Sequence, residues 1–121
     1  MFKKRINVPI LKGKEESLLK INMEYRKGIL FIRIKGELSQ KTSKNLIDYL
    51  VPLIEDKGIK YIVFNLGKVT YIDKIGKETI KIIIKATTKN YGKGLICNTS
   101  VKFDDRYTID NELMAFQTVS L

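Results

Sequence analysis

The residues that most often carry catalytic chemistry are nearly absent from this chain. Cys97 is its only cysteine, and its 121 residues include no histidine. An intramolecular disulfide is therefore impossible, and neither a Cys/His zinc site nor a serine–histidine triad can be assembled. Cys97 ends a predicted strand and has no base to activate its thiol, so we interpret it as a small buried apolar residue.

Carboxylates and glycines offer no other route to catalysis. The acidic residues fall mostly at predicted helix ends or exposed turns, and no two of them obviously converge on an apolar pocket, as carboxylate catalysis requires. Gly92-Lys-Gly94 is too short for a phosphate-binding loop and precedes a strand rather than a helix. The sequence thus predicts a protein that is not an enzyme and that uses no cofactor or metal.

The most distinctive segment is Val69-Thr-Tyr-Ile-Asp-Lys-Ile-Gly76, an apolar strand end that runs into a helix start. Asp73 is placed to cap the helix, and Gly76 lets the first helical turn pack closely. The preceding strand, residues 61–66, is almost continuously apolar, which is typical of a strand covered on both faces. The helix should bury one stripe of side chains: Ile75, Thr79, Ile80, Ile83, Ile84 and Thr87.

Other elements follow from periodicity. Residues 21–25 and 29–35 alternate as strands around a turn, and a helix capped by Ser39 continues with Leu46, Leu50 and Ile54 on one face. Residues 95–97 form a further strand. A short third helix should run from a cap at Ser100 to near Asn111, followed by a last strand at 114–119. The prediction is an α/β domain with a mixed β-sheet of about five strands, in the order β-β-α-β-α-β-α-β.

The chain length predicts one domain, at residues 21–121, preceded by an N-terminal extension of residues 1–20. Within the extension, residues 6–11 could form an extra edge strand, since Pro9 is tolerated only there. No apolar run is long enough to span a bilayer or to form a signal peptide, so we expect a cytoplasmic protein without membrane contact.

The net charge of +10 favours an anionic partner. The basic residues are almost all lysine, however, and they are spread along the chain. Arginine is the better residue for phosphate and base contacts, so nucleic acid is not the partner that we expect.

With these elements in order, residues from about 21 to 119 resemble the STAS domain of bacterial anti-sigma factor antagonists. Gly36-Glu-Leu-Ser-Gln-Lys-Thr42 with Leu46 is similar to the family's Gly-Glu-Leu-Asp passage from strand to helix. Residues 62–73 with Gly76 are similar to its central strand and its Asp-Ser-Ser-Gly helix start. Residues 95–100 are similar to the strand that leads into its third helix.

The resemblance implies that the chain binds an anti-sigma factor that is also a serine kinase. In that family, phosphorylation of the serine before the helix glycine releases the partner, because it adds about −2 charge at a helix N-terminus. Ile75 stands at the matching position and Lys74 at the preceding serine, so no phosphorylation can occur at Ile75. Ser39 also replaces a usual acidic residue, and Asn65 an aspartate.

The resemblance further implies that a partner binds at the start of the second helix and at the loop from Gly36 to Thr42. The candidate partner-binding residues are Ser39, Thr42, Asp73, Lys74, Ile75, Gly76 and Lys77. Each has a simpler interpretation, such as a helix cap for Asp73, a core position for Ile75 and solvated side chains for the lysines. An alternative function is a STAS scaffold subunit of a larger regulatory assembly, and residues 1–20 could then support a homo-oligomer.

Overall fold

The computed structural model describes residues 2–6 and 19–119, and these residues contain one mixed sheet of six strands. The strands lie side by side in chain order: β1 (Phe2–Ile6), β2 (Leu19–Arg26), β3 (Ile29–Leu38), β4 (Tyr61–Ile72), β5 (Lys93–Cys97) and β6 (Thr108–Ile109). The first three strands are antiparallel, while β3, β4, β5 and β6 are mutually parallel.

The β2–β3 hairpin follows from its turn residues. Lys27 and Gly28 both have positive φ angles, 50° and 83°. A two-residue hairpin turn of this kind matches the twist of its strands, and glycine takes the second position without steric cost. The turn fixes the register in which Asn22 pairs with Arg33.

Two helices provide the parallel crossovers. α1 (Gln40–Asp56) joins β3 to β4, and α2 (Lys74–Thr88) joins β4 to β5. Both helices pack on the same face of the sheet, where Leu46, Leu50 and Ile80 are completely buried with the inward side chains of β2, β3 and β4. Because α2 is rich in β-branched isoleucine, its stability depends on this packing more than on helix propensity.

A smaller core covers the opposite face of the sheet. α3 (Ala115–Thr118) places Ala115 and Phe116 against a patch that contains Phe31, Val63 and Leu95. The rings of Phe31 and Phe116 have centroids 5.6 Å apart in a tilted arrangement. The sheet is therefore covered by helices on one face and by the C-terminal segment on part of the other.

The α/β mixed-sheet prediction is confirmed, but the last two predicted elements are wrong. Residues 100–111 contain only a 3-10 turn at Asp105–Tyr107 and the two residues of β6. Residues 114–119 form α3 rather than a strand. Ala115 and Val119 lie four residues apart and are both buried, which is helical spacing that a short alternating pattern conceals.

The N-terminal strand that the structure shows is β1, at the sheet edge beside β2. The edge strand predicted for residues 6–11 lies, apart from Ile6, outside the described residues. The division into an extension and a domain stays a prediction.

Candidate functional site

The site with the most defined geometry lies where α1 and α2 begin, and Asp73 is at its centre. Asp73 has an extended backbone and caps α2, since its Oδ1 accepts a hydrogen bond from the Gly76 N–H at 2.7 Å. Its Oδ2 accepts a second hydrogen bond from the Gln40 N–H at 3.0 Å. One carboxylate therefore satisfies backbone donors at the starts of both helices.

These hydrogen bonds also set the charge of Asp73. The N–H groups of Gly76 and Gln40 lower the pKa of the Asp73 carboxyl below its ordinary value. The group is ionised at neutral pH, where its negative charge interacts favourably with the positive ends of two helix dipoles. The predicted cap is confirmed, and the contact with Gln40 is an addition that sequence patterns do not reveal.

Gly76 holds α2 against the end of β3. A Cβ atom at this position would overlap the backbone carbonyl of Leu38, and backbone cannot move aside as a side chain can. The Asp73 N–H also donates to the Leu38 carbonyl oxygen at 3.3 Å. The close packing predicted for Gly76 is present, and it locks the helix start onto the sheet.

Ser39 and Thr42 form the cap of α1. Their capping box includes a hydrogen bond of 3.0 Å from the Ser39 N–H to Thr42 Oγ1, and Ser39 Oγ accepts from the Lys41 N–H at 3.3 Å. Ser39 Oγ donates to the Glu37 carboxylate at 2.7 Å. Both hydroxyl side chains are buried. Any role of Ser39 and Thr42 in partner binding would therefore be to shape the loop.

Exposed residues at the starts of α1 and α2 and near the end of β4 form what we call the helix-start surface: Gln40, Lys41, Tyr71, Lys74 and Ile75. Ile75 is 44% exposed and Tyr71 is 55% exposed. The expectation that Ile75 belongs to the buried stripe of α2 is wrong, while Thr79, Ile80, Ile83, Ile84 and Thr87 are buried as predicted.

Lys77 stands apart from this surface. It is half-buried, with its Nζ atom 5.4 Å from the centre of the Phe103 ring. This geometry is that of a cation–π contact, which draws the ammonium toward residues 100–103. The candidate site residues chosen from the sequence did not include Tyr71. The feature that could have indicated it is a large aromatic side chain at the end of a strand, within the most distinctive segment of the sequence.

The groups that could bind a metal or act as a nucleophile are few among the described residues. No group of three or more His, Cys, Asp or Glu side chains in that part of the chain is placed to hold a metal ion. Cys97 is fully buried, and burial together with the nearby Glu112 charge raises the pKa of its thiol to about 12. The thiol is therefore protonated at neutral pH and unreactive. No helix among the described residues is long and apolar enough to cross a bilayer.

The profile of the STAS domain matches residues 20–111, and the chain belongs to the STAS domain family. Among characterised relatives, it is 27% identical to the anti-sigma F factor antagonist of Paenibacillus polymyxa over 82 residues, which cover 68% of this chain and 70% of that protein. The resemblance to antagonists is thus confirmed, and it supports a regulatory binding role.

Solved structures show the same fold. The anti-sigma factor antagonist SpoIIAA in its unphosphorylated form aligns with a TM-score of 0.64 at 15% identity, over 81% of this chain and 94% of that chain. The phosphorylated form of the Bacillus cell fate determinant SpoIIAA gives 0.62 at 16% identity, over 83% and 99%. The murine anion transporter Slc26a9 gives 0.54 at 11% identity, over 64% of this chain and 13% of that one.

Proposed function

We propose that this protein is a non-enzymatic regulatory module of the antagonist type, whose helix-start surface binds an anti-sigma factor or a related serine-kinase-like protein. The observation that carries the proposal is the exposure of Ile75 and Tyr71 beside the fixed start of α2. Tyrosine is enriched among the residues that dominate the binding energy of an interface, and the isoleucine beside it adds apolar area that a partner can bury.

The rigidity of this surface supports the proposal. Asp73 ties the starts of α1 and α2 together, and Gly76 seats α2 on Leu38. A surface that is already ordered loses little conformational entropy when it binds, so more of the contact energy appears as affinity. The exposed Lys41 and Lys74 would favour a partner with acidic groups around the apolar contact.

Regulation at this surface would differ from that of an antagonist with a modifiable serine. Isoleucine has no hydroxyl, so Ile75 cannot accept phosphate. Among the neighbouring hydroxyls, those of Ser39 and Thr79 are buried, and the Thr79 hydroxyl donates to the Ile75 carbonyl at 2.8 Å. Thr70 and Tyr71 are exposed, but neither stands at the position that matches the family serine. We infer that partner binding here is not switched by phosphorylation at position 75.

The binding experiment compares two matched substitutions on α2. Ile75→Asp places a charge in the helix-start surface, and Ile82→Asp places one at a site of equal type and similar exposure, 47%, farther along the helix. Tagged proteins would be used to capture partners from native lysate, followed by mass spectrometry. We expect wild type and Ile82→Asp to capture an anti-sigma factor or serine-kinase-like protein and Ile75→Asp to lose it, with unchanged circular dichroism for all three.

The opposite pattern would overturn the proposal. Retention of the partner by Ile75→Asp would show that this surface is not part of the interface. Unfolding of Ile75→Asp would mean that Ile75 has a structural role. With the captured kinase and ATP, wild type should gain no phosphate at residues 74–76, whereas Ile75→Ser should gain one. Phosphate on wild type within that segment would refute the alignment with the family serine.

A scaffold subunit of a larger assembly is the second candidate. Its specific support is β1, which lies at the end of the strand order and has a free outer edge among the described residues. Such an edge can pair with another chain. Sedimentation of the pure protein distinguishes the two, because a stable higher oligomer favours the scaffold and a monomer favours the antagonist.

A further inference from the structure

Three lysines lie side by side on the face of the sheet opposite α1 and α2. Lys20 on β2 pairs with Lys35 on β3, and Lys35 pairs with Lys68 on β4. We call these three residues the lysine row. Neighbouring strands are about 4.8 Å apart, so three positive charges originate from adjacent positions on one face. Like charges directly opposite each other destabilise a sheet, so stability does not explain this arrangement.

The described acidic residues do not neutralise the lysine row. No carboxylate among them forms an ion pair with Lys20, Lys35 or Lys68. Two other carboxylates are paired with Arg33, whose Nη2 atom contacts Glu24 at 2.9 Å and Glu112 at 2.8 Å. These two carboxylates therefore pair with Arg33 and not with the lysines, so the lysine charges can interact with a ligand.

The lysine row borders a half-open depression with a volume of about 840 Å³. No carboxylate among the described residues lines it, and the Asn65 amide nitrogen, which does line it, donates to the Glu112 carboxylate at 2.8 Å. Its other polar lining comes from Arg33 and from the amide side chains of Asn22, Asn65 and Asn98, with Gly67 between the last two along the chain. The Asn22 Oδ1 atom accepts from Arg33 at 3.1 Å, which leaves the Asn22 amide nitrogen as a donor. A side chain at Gly67 would crowd Asn65 and Asn98.

We propose that this depression binds a short phosphate chain, with the lysine row contacting successive phosphates and the Asn22 and Asn98 amides donating to their oxygens. Lysine is a compact charge with three donors, which suits tetrahedral phosphate oxygens. No aromatic side chain in the described part of the chain lines the depression, so none of these residues can stack on a nucleobase there. The ligand class is therefore an oligophosphate recognised by its chain, and this inference is independent of the proposed partner.

Isothermal titration at low salt with sodium tripolyphosphate tests the proposal. The variant Lys20→Gln/Lys35→Gln/Lys68→Gln removes the row. Its control, Lys57→Gln/Lys60→Gln/Lys102→Gln, removes the same charge from exposed lysines elsewhere. We expect the row variant to lose at least 20-fold in affinity and the control to change less than threefold. Equal losses would mean unspecific attraction to net charge, and absence of binding by wild type would also overturn the proposal.

Further ligands identify the source of the phosphate chain. Tripolyphosphate and ATP should bind alike, and orthophosphate at least tenfold more weakly. ATP binding more than tenfold tighter than tripolyphosphate, or a single-stranded oligonucleotide that tripolyphosphate cannot displace, would overturn recognition of the chain alone. On wild type, the backbone amide resonances of Lys35, Gly67 and Lys68 should shift on titration. Unchanged resonances there would refute the site even if the row variant failed to fold.

Discussion

Asp73 and Gln40 are joined by a hydrogen bond of 3.0 Å from the Gln40 N–H to Asp73 Oδ2, although 33 positions separate them in the chain. Gln40 is the first residue of α1, and Asp73 caps α2. The starts of both crossover helices therefore depend on one carboxylate. This relationship fixes the relative position of the first turns of α1 and α2, which carry four of the five residues of the helix-start surface.

Removal of this carboxylate should weaken the fold. We expect Asp73→Ala to lower the free energy of unfolding by about 1–2 kcal/mol, since it leaves two helix-start donors without a partner. Asp73→Asn retains one oxygen acceptor and should lose less. Urea unfolding followed by circular dichroism measures both, with Asp110→Ala at an exposed site as the control. A loss for Asp73→Ala no greater than that of the control would contradict the double cap.

Gly76 should tolerate no side chain. Gly76→Ala should destabilise the fold by about 1–3 kcal/mol despite the better helix propensity of alanine, because the new Cβ overlaps the Leu38 carbonyl. Lys74→Ala, in the same helical turn but exposed, should be nearly neutral. Thermal and urea unfolding compare the two. A stabilised Gly76→Ala protein would show that α2 does not sit as closely on β3 as described.

The contact between Arg33 and Glu112 should make stability depend on pH. Glu112 accepts hydrogen bonds from Arg33 Nε and Nη2, both at 2.8 Å, and these lower the pKa of its carboxyl from 4.5. A carboxyl with a lower pKa in the folded chain stabilises the fold above the unfolded pKa, and this contribution disappears as the pH falls through the folded pKa.

Glu112→Gln tests this contact. At pH 7 the variant should be about 1.5–3 kcal/mol less stable than wild type, the range for hydrogen bonds to charged groups. The difference should shrink as the pH falls below 4.5 and through the lower pKa of the folded chain, because the wild-type carboxyl then becomes neutral. Urea unfolding across this pH range measures it, with the exposed Glu78→Gln as control. A difference that does not change with pH would assign the effect to shape rather than to charge.

The Cys97 thiol should not react with alkylating reagents in the native protein. Because its thiol is buried and its pKa is raised to about 12, we expect no reaction with iodoacetamide at pH 8 until denaturant is added. Lys74→Cys adds an exposed thiol and should take up one label at once. Mass spectrometry counts the labels. Rapid labelling of Cys97 in the native wild type would show that the smaller core opens readily.

Local sequence patterns were sufficient to predict the elements that carry the helix-start surface. The caps at Ser39 and Asp73, the hairpin turn at 27–28 and the apolar stripes of α1 and α2 all involve residues close together in the chain. Each interaction spans one or two helical turns or a strand pair, and sequence periodicity records such interactions directly. The resemblance to STAS domains rests on these same segments.

The structure of the region after β5 could not be predicted from local patterns, because it depends on the contacts that this region makes with the sheet. Residues 112–119 become a 3-10 turn and α3 because Ala115 and Val119 pack onto the outer face of the sheet and Glu112 binds Arg33. Four to six residues hold too little periodicity to distinguish a strand from a helical turn, so these tertiary contacts decide the conformation.

The sequence by itself determined the family, the order of the main elements and the absence of histidine chemistry, because these depend on composition and on neighbours along the chain. Only the tertiary structure decided that Ile75 is exposed, that Asp73 serves two helices and that Lys20, Lys35 and Lys68 stand in one row. Each of these facts depends on strand register and helix placement, which bring together residues tens of positions apart.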